Sequence, residues 1–165
     1  MTYNLNSPMS EDSETARLYI SLKDAIRTHC VEIRTYLFAA GDTTSVDDAR
    51  HLIGEYLTHW SMLAHLADFV AHLLRHLERR WIEGRIAVGD RNIYMIRELH
   101  TVIWKEEVLR VSVVLAEEAT RSEMEQAVDL LQKQGEDGNQ GDKDLVERFL
   151  ESLRAVGLAT VLALR

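Results

Sequence analysis

The chain has 165 residues, 46% of them hydrophobic, and a formal net charge of −8. That length and apolar content suit one domain with a core of its own, while the acidic balance forgoes the counterion release that drives general nucleic-acid binding. Cys30 is the single cysteine, which excludes an intramolecular disulfide, and no apolar run reaches the roughly 18 to 20 residues of a membrane span.

Pro8 is the only proline. Proline breaks helix interiors, so its absence from the rest of the chain suits long helices. Strand signals are weak, and the expected fold class is all-α. Residues 1–10 read as a disordered N-terminus, with neither the basic start nor the apolar stretch of a secretory signal. Ser10 or Ser13 can cap a first helix, with Glu11, Asp12 and Glu14 near its positive end. Leu18, Leu22, Ala25, Ile26, Cys30, Ile33 and Leu37 recur at helical spacing and mark its buried stripe. Cys30 reads as a small core residue. Gly41-Asp42 ends the helix.

Ser45 opens a second helix, with Asp48 three residues on as the second half of a capping box. Its stripe is Leu52, Tyr56, Trp60, Leu63, Leu66 or Ala67, Val70, Leu73, Leu74 and Leu77. The pattern reaches about Trp81, as one helix or as two with a bend, and Gly54 is its weak point. Gly84 and Gly89-Asp90 mark a break. A third helix is expected from about Asn92, capped by Asn92 or Asp90. Its face is Ile93, Ile96, Leu99, Ile103, Val108, Val111 and Leu115, continued by Met124, Val128 and Leu131. Together, residues 11–134 make the expected helical bundle. Residues 135–142, GEDGNQGD, read as a polar linker. Asp142 then caps a C-terminal helix over 143–165, with Leu145, Val146, Phe149, Leu150, Leu153 and Val156 on one face. The closing GLATVLALR is apolar and needs a partner, either the bundle or another chain.

His65, His72 and His76 are spaced by seven and four and share a helix face. His72 and His76 could hold zinc in principle, but spacing fixes no third ligand, and Leu73 stands where a zinc peptidase needs glutamate. Boundary or surface histidines explain them, and no metal or other cofactor is expected. No phosphate loop or nucleophile elbow is present. Glu106-Glu107 and Glu117-Glu118 are sequence neighbours that diverge on a helix, so a solvated face suits them better than acid–base work. No catalytic set emerges, and the chain does not read as an enzyme.

Between residues 75 and 97 arginines 75, 79, 80, 85, 91 and 97 outnumber Glu78, Glu83 and Asp90. A solvated helix end is one explanation; a basic patch for an acidic protein partner is the other. Trp60 and Trp104 fall on apolar faces and read as core, as does Tyr94 at the start of the third helix. Trp81 is either an exposed hot spot beside arginines or folds back on the helix end.

EYLTHW, LLRHLERR, NIYMI and LHTVIWK follow one another between Glu55 and Leu109. This order resembles the N-terminal repeat region of cullins, the scaffolds of multisubunit ubiquitin ligases. In that family a tryptophan-containing helix leads to an Asn/Arg-His-aromatic-Arg-Arg segment, a Gly- and Lys-rich turn, an Ile-Tyr-Ile-Tyr-like helix start and a second tryptophan followed by a basic residue. The likeness extends over roughly residues 16–160. It implies a bundle of long antiparallel helices like a cullin repeat, with four to six helices, the C-terminal one starting a next repeat. It further implies a scaffold or binding module for ubiquitin-dependent protein catabolism, docking a BTB-fold adaptor or another ubiquitin-ligase subunit. The expected compartment is cytoplasm or nucleus, with neither membrane nor nucleic acid as partner.

Arg75, His76, Arg79 and Arg80 match the family's His-aromatic-Arg-Arg motif. Leu77 stands at the aromatic position, and Trp81 follows. These six form the expected partner-binding set. The turn WIEGRIAVGDRN is longer than the family's, and two short helices that precede the match in cullins have no counterpart here. The RING-binding end and modifier lysine of a full cullin have no room in 165 residues. The alternative reading is a self-associating helical bundle, a homo-oligomer without a ligase role.

Overall fold

The computed structural model describes residues 8–39, 41, 43–109, 118–136 and 138–158, and the side chains of all of these except 8–13 and 118–122. Among the described residues the fold is all helix, with no strand. Helix α1 spans Pro8–Leu37 and α2 spans Val46–Leu73. Two short pieces, α3 (Arg75–Leu77) and α4 (Glu83–Ala87), flank a π-helical turn at Glu78–Ile82. Then come α5 (Ile96–Glu107), α6 (Glu118–Glu136) and α7 (Gln140–Ala155).

Pro8 occupies the first helical position, where its missing N–H costs nothing. Ser10 and Ser13 therefore lie inside α1 rather than capping it. The buried face of α1 is Tyr19, Ile26, Cys30, Ile33 and Leu37, while Leu18 is 48% exposed and Ala25 also faces water. Tyr19 keeps the seven-residue phase with Ile26 and Ile33, and its hydroxyl has a buried partner described below. Burial pushes the Cys30 thiol up to about 12, as suits a core residue.

Ser45 and Asp48 form a complete capping box at the start of α2: Ser45 Oγ accepts from the Asp48 N–H, and Asp48 accepts from the Ser45 N–H. Leu52, Tyr56, Leu63, Ala67 and Leu77 are buried and Trp60, Val70 and Leu74 partly so, but Leu66 and Leu73 face out. The stretch resolves as two helices rather than one, α2 and α3, interrupted at Leu74. Leu74 leaves helical dihedrals (φ −97°, ψ 24°), and the π-helical turn follows.

The expected third helix is not one helix. Ile93–Met95 precede it without helical structure, α5 ends at Glu107, and α6 begins at Glu118. Val111 and Leu115 lie outside the described residues. Asp90 and Asn92 do not cap α5; Asp90 Oδ1 accepts from the Asn92 N–H, closing a local turn. Instead Glu78 Oε1, from the π-helical turn, accepts the Ile96 N–H at 2.9 Å. The expected linker also shrinks, because Gly135 and Glu136 belong to α6 and Gln140–Asp142 to α7. Gly138, at φ +102°, supplies a left-handed residue in the remaining turn. Asn139 caps α7 by accepting from the Gly141 N–H. Asp142 lies inside the helix, 2% exposed, and its carboxylate takes a bidentate fork from Arg50 at 2.7 and 2.9 Å. The guanidinium holds that carboxyl below the usual range. Residues 159–165, most of the apolar C-terminal run, lie outside the described residues; Leu158 is buried.

Contacts fix the helix directions. Tyr19 meets Tyr94 just before α5 and Arg27 meets Glu107 at its end, so α1 runs with α5 and, as α5 opposes α2, antiparallel to α2. Arg97 meets Asp68 and Trp104 meets Tyr56, so α5 is antiparallel to α2. Asp142 meets Arg50 and Phe149 meets Tyr56, so α7 is parallel to α2. α2 is the axial helix, packing against α1, α5, α6 and α7.

At its centre Trp104 Nε1 donates to the Tyr56 hydroxyl at 3.1 Å. Ser152 Oγ lies 3.3 Å from that hydroxyl and 2.6 Å from the Phe149 carbonyl. Ser152 has one proton, and the shorter contact takes it to the carbonyl, which leaves Tyr56 to donate to Ser152. The rings of Trp104 and Phe149 pack edge-on to Tyr56 at 5.4 and 5.0 Å, and Trp60 packs on Trp104 at 5.5 Å. Trp104 is fully buried, and Trp60 is partly buried against the core. Trp104→Ala is expected to cost about 3–5 kcal/mol in urea unfolding. Tyr56→Phe is expected to cost about 1–3 kcal/mol, by stranding the indole N–H.

Candidate partner-docking surface

The segment after α2, from α3 to the start of α5, is braced by contacts to α1 and within itself. The Tyr94 backbone N–H donates to the Tyr19 hydroxyl at 2.9 Å, and that hydroxyl donates to the Tyr94 carbonyl at 3.2 Å. One side chain of α1 therefore satisfies both polar groups of a residue in the connection before α5. Burial raises the Tyr19 phenol above its ordinary range. Trp81 lies tilted on the Tyr19 ring at 5.5 Å, so it folds back onto α1 and is half-buried. The Arg85 guanidinium lies 6.0 Å from the Trp81 ring centre, and its Nη2 donates to Asp90 at 2.8 Å. Arg85 holds the Asp90 carboxyl below the usual range. Gly89, at φ +87°, lets the Asp90 N–H return to the Arg85 carbonyl and close α4. Tyr94 is half-buried against the core, as expected.

The expected partner-binding set divides. Arg75, His76, Arg79 and Arg80 are exposed on this braced segment. Leu77 is not: at 7% exposure it belongs to the core, because the turn of helix that shows the arginines turns the residue between them inward. Trp81 is half-buried. The six-arginine stretch is also partly neutralised, since Arg85 pairs with Asp90 and Arg97 with Asp68. Arg75, Arg79 and Arg80 enter no ion pair among the described residues.

The remaining candidates do not assemble into a reaction centre. His65, His72 and His76 are exposed, and among the described residues no three metal-ligating side chains converge. Glu106 and Glu107 are not a plain solvated face. Arg27 bridges both, at 3.5 and 3.0 Å, and Arg34 donates to the Glu107 carbonyl at 3.2 Å, so they clamp the end of α5 to α1. The open groove between α2 and α7 is lined by Gly54, Leu57, Thr58, Ser61, Met62, Leu145 and Arg148, without a general base.

His100 stands in no motif, yet it is 2% exposed. Its Nδ1 lies 2.7 Å from the Ile96 carbonyl, so the proton sits there, and Nε2 has no partner among the described residues. Burial holds its pKa below the ordinary 6.5, with His29 adding to the shift. The unfolded chain then binds a proton that the folded chain refuses. Stability is full above pH 6.5 and declines as pH falls below it toward the folded-state pKa. The urea midpoint is expected to fall on acidification from about pH 7 to about pH 5, and His100→Phe is expected to flatten that slope.

The family model of the cullin alpha solenoid domain matches residues 2–160. No curated protein and no solved structure matches the chain. A match over nearly the whole length places this chain in the cullin family, whose domains act as scaffolds in ubiquitin-ligase assemblies and not as catalysts.

Proposed function

We propose that this cullin-family chain docks a BTB-fold adaptor through the braced segment that follows α2, with Arg75 on α3 and Arg79 and Arg80 on the π-helical turn as its charged contacts. The observation that carries this reading is their availability. Three guanidinium groups stand unpaired among the described residues on a chain of net charge −8, where acidic partners for them abound. Unsatisfied charge on a braced support is what steers and orients an acidic partner, since little ordering is left to do on binding. Trp81 and Arg85 hold the support, and the half-buried indole adds apolar contact. The scaffold acts by presenting this wall; no bond is made or broken on it.

Arg79→Glu with Arg80→Glu is expected to weaken adaptor binding by about tenfold, chiefly by slowing association at low salt. Helicity is expected to persist, because both side chains are exposed. Unchanged affinity in a titration against purified adaptor would move the docking surface elsewhere. Leu77→Asp serves as the contrasting variant. It is expected to unfold the bundle, since it buries a charge in the core.

A further inference from the structure

α2 bears a second surface that the core does not use and that shares only Arg80, at its far end, with the proposed adaptor contact. Met62, Leu66, Phe69 and Leu73 are 61%, 41%, 64% and 66% exposed. Their spacings are four, three and four, the alternation of a coiled-coil seam. Continuing the same alternation backward reaches His59 and then Glu55; continuing it forward reaches His76 and then Arg80. The series has the same spacing from either end. Its chemistry also matches under reversal, since Leu66 mirrors Phe69, Met62 mirrors Leu73, His59 mirrors His76, and Glu55 mirrors Arg80.

We propose that this face pairs with the same face of a second copy, α2 antiparallel to α2, about a two-fold axis between Leu66 and Phe69. A two-fold contact requires a surface complementary to itself. A seam with apolar residues at its middle and opposite charges at its two ends meets that requirement, because each copy sets its Glu55 against the other's Arg80. An unrelated apolar partner would need no such reversal of charge. The apolar stretch from Met62 to Leu73 runs about 17 Å at the rise of an α-helix, and the series continues past Leu74, where the Leu74 N–H still donates to the Val70 carbonyl and the Glu78 N–H to that of Leu74, through His76 on α3 to Arg80 on the π-helical turn. The end of α1 borders the seam without covering it. The Tyr36 ring packs edge-on against His59, and its hydroxyl donates to Glu55, while Tyr36 itself stays 56% exposed. Arg80 has no ion partner of its own among the described residues.

Sedimentation equilibrium on the full chain tests this, with circular dichroism as the check on folding. The wild type is expected to dimerise in the micromolar range. Phe69→Asp is expected to give a folded monomer, since the side chain it replaces is mostly in water. Glu55→Arg is expected to weaken the dimer by about tenfold, and adding Arg80→Glu to restore it, because the charged pair is then rebuilt with its signs exchanged. A wild type that stays monomeric at every concentration overturns the proposal. So does a dimer that survives Phe69→Asp, or a double variant no tighter than Glu55→Arg alone.

Discussion

The fold depends on a single phenol. Tyr56 stands where α2, α5 and α7 meet, and each of its two hydrogen-bonding capacities is used by a different helix. The ring is enclosed by Trp104 and Phe149, so the polar tip is reached from inside the protein alone. A hydroxyl in that position enforces register. Sliding α5 or α7 by one turn against α2 would leave an indole N–H or a tyrosine O–H buried without a partner. Apolar packing alone would tolerate such a slide far better.

Much of this was legible in the sequence. The capping box at Ser45 and Asp48, the break at Gly89-Asp90, the packing of Trp60 on Trp104, and the faces of α6 and α7 follow from spacing and side-chain chemistry, whereas Gly84, also expected at a break, lies inside α4. What was hidden depended on partners distant in sequence. Leu18 and Tyr19 are adjacent, and periodicity could not choose between them; the Tyr94 backbone 75 residues away decides for Tyr19. Asp142 resembles a cap, but Arg50 draws it into the helix interior. Asp90 and Asn92 resemble a cap too, yet Glu78 fills that office from the other side of a turn. Helical spacing put Leu77 on the buried stripe of the second helix while the family motif put it among the partner contacts, and the structure keeps the first. His100 carried no signal, because its environment consists of helix faces assembled around it.

The two surfaces, on α2 and just after it, have different physical characters. The arginine end is charged and braced, with its apolar support turned inward onto Tyr19. The mid-helix stripe is apolar and unsupported, with leucine and phenylalanine standing in water. The first kind of surface gains speed and orientation from charge; the second gains affinity from removing apolar area from solvent. Arg80 lies at the meeting point of both, so an occupant of one restricts access to part of the other.

The Arg50–Asp142 fork is lopsided in a way that constrains how the chain can change over descent. Asp142 is sealed, whereas Arg50 is partly in water and also holds Asp47. A lineage that loses the arginine first is left with an anion walled off from solvent, a severe defect. One that loses the aspartate first keeps a cation with a second carboxylate at hand. The two positions therefore have a permitted order of replacement, and drift through this pair runs one way.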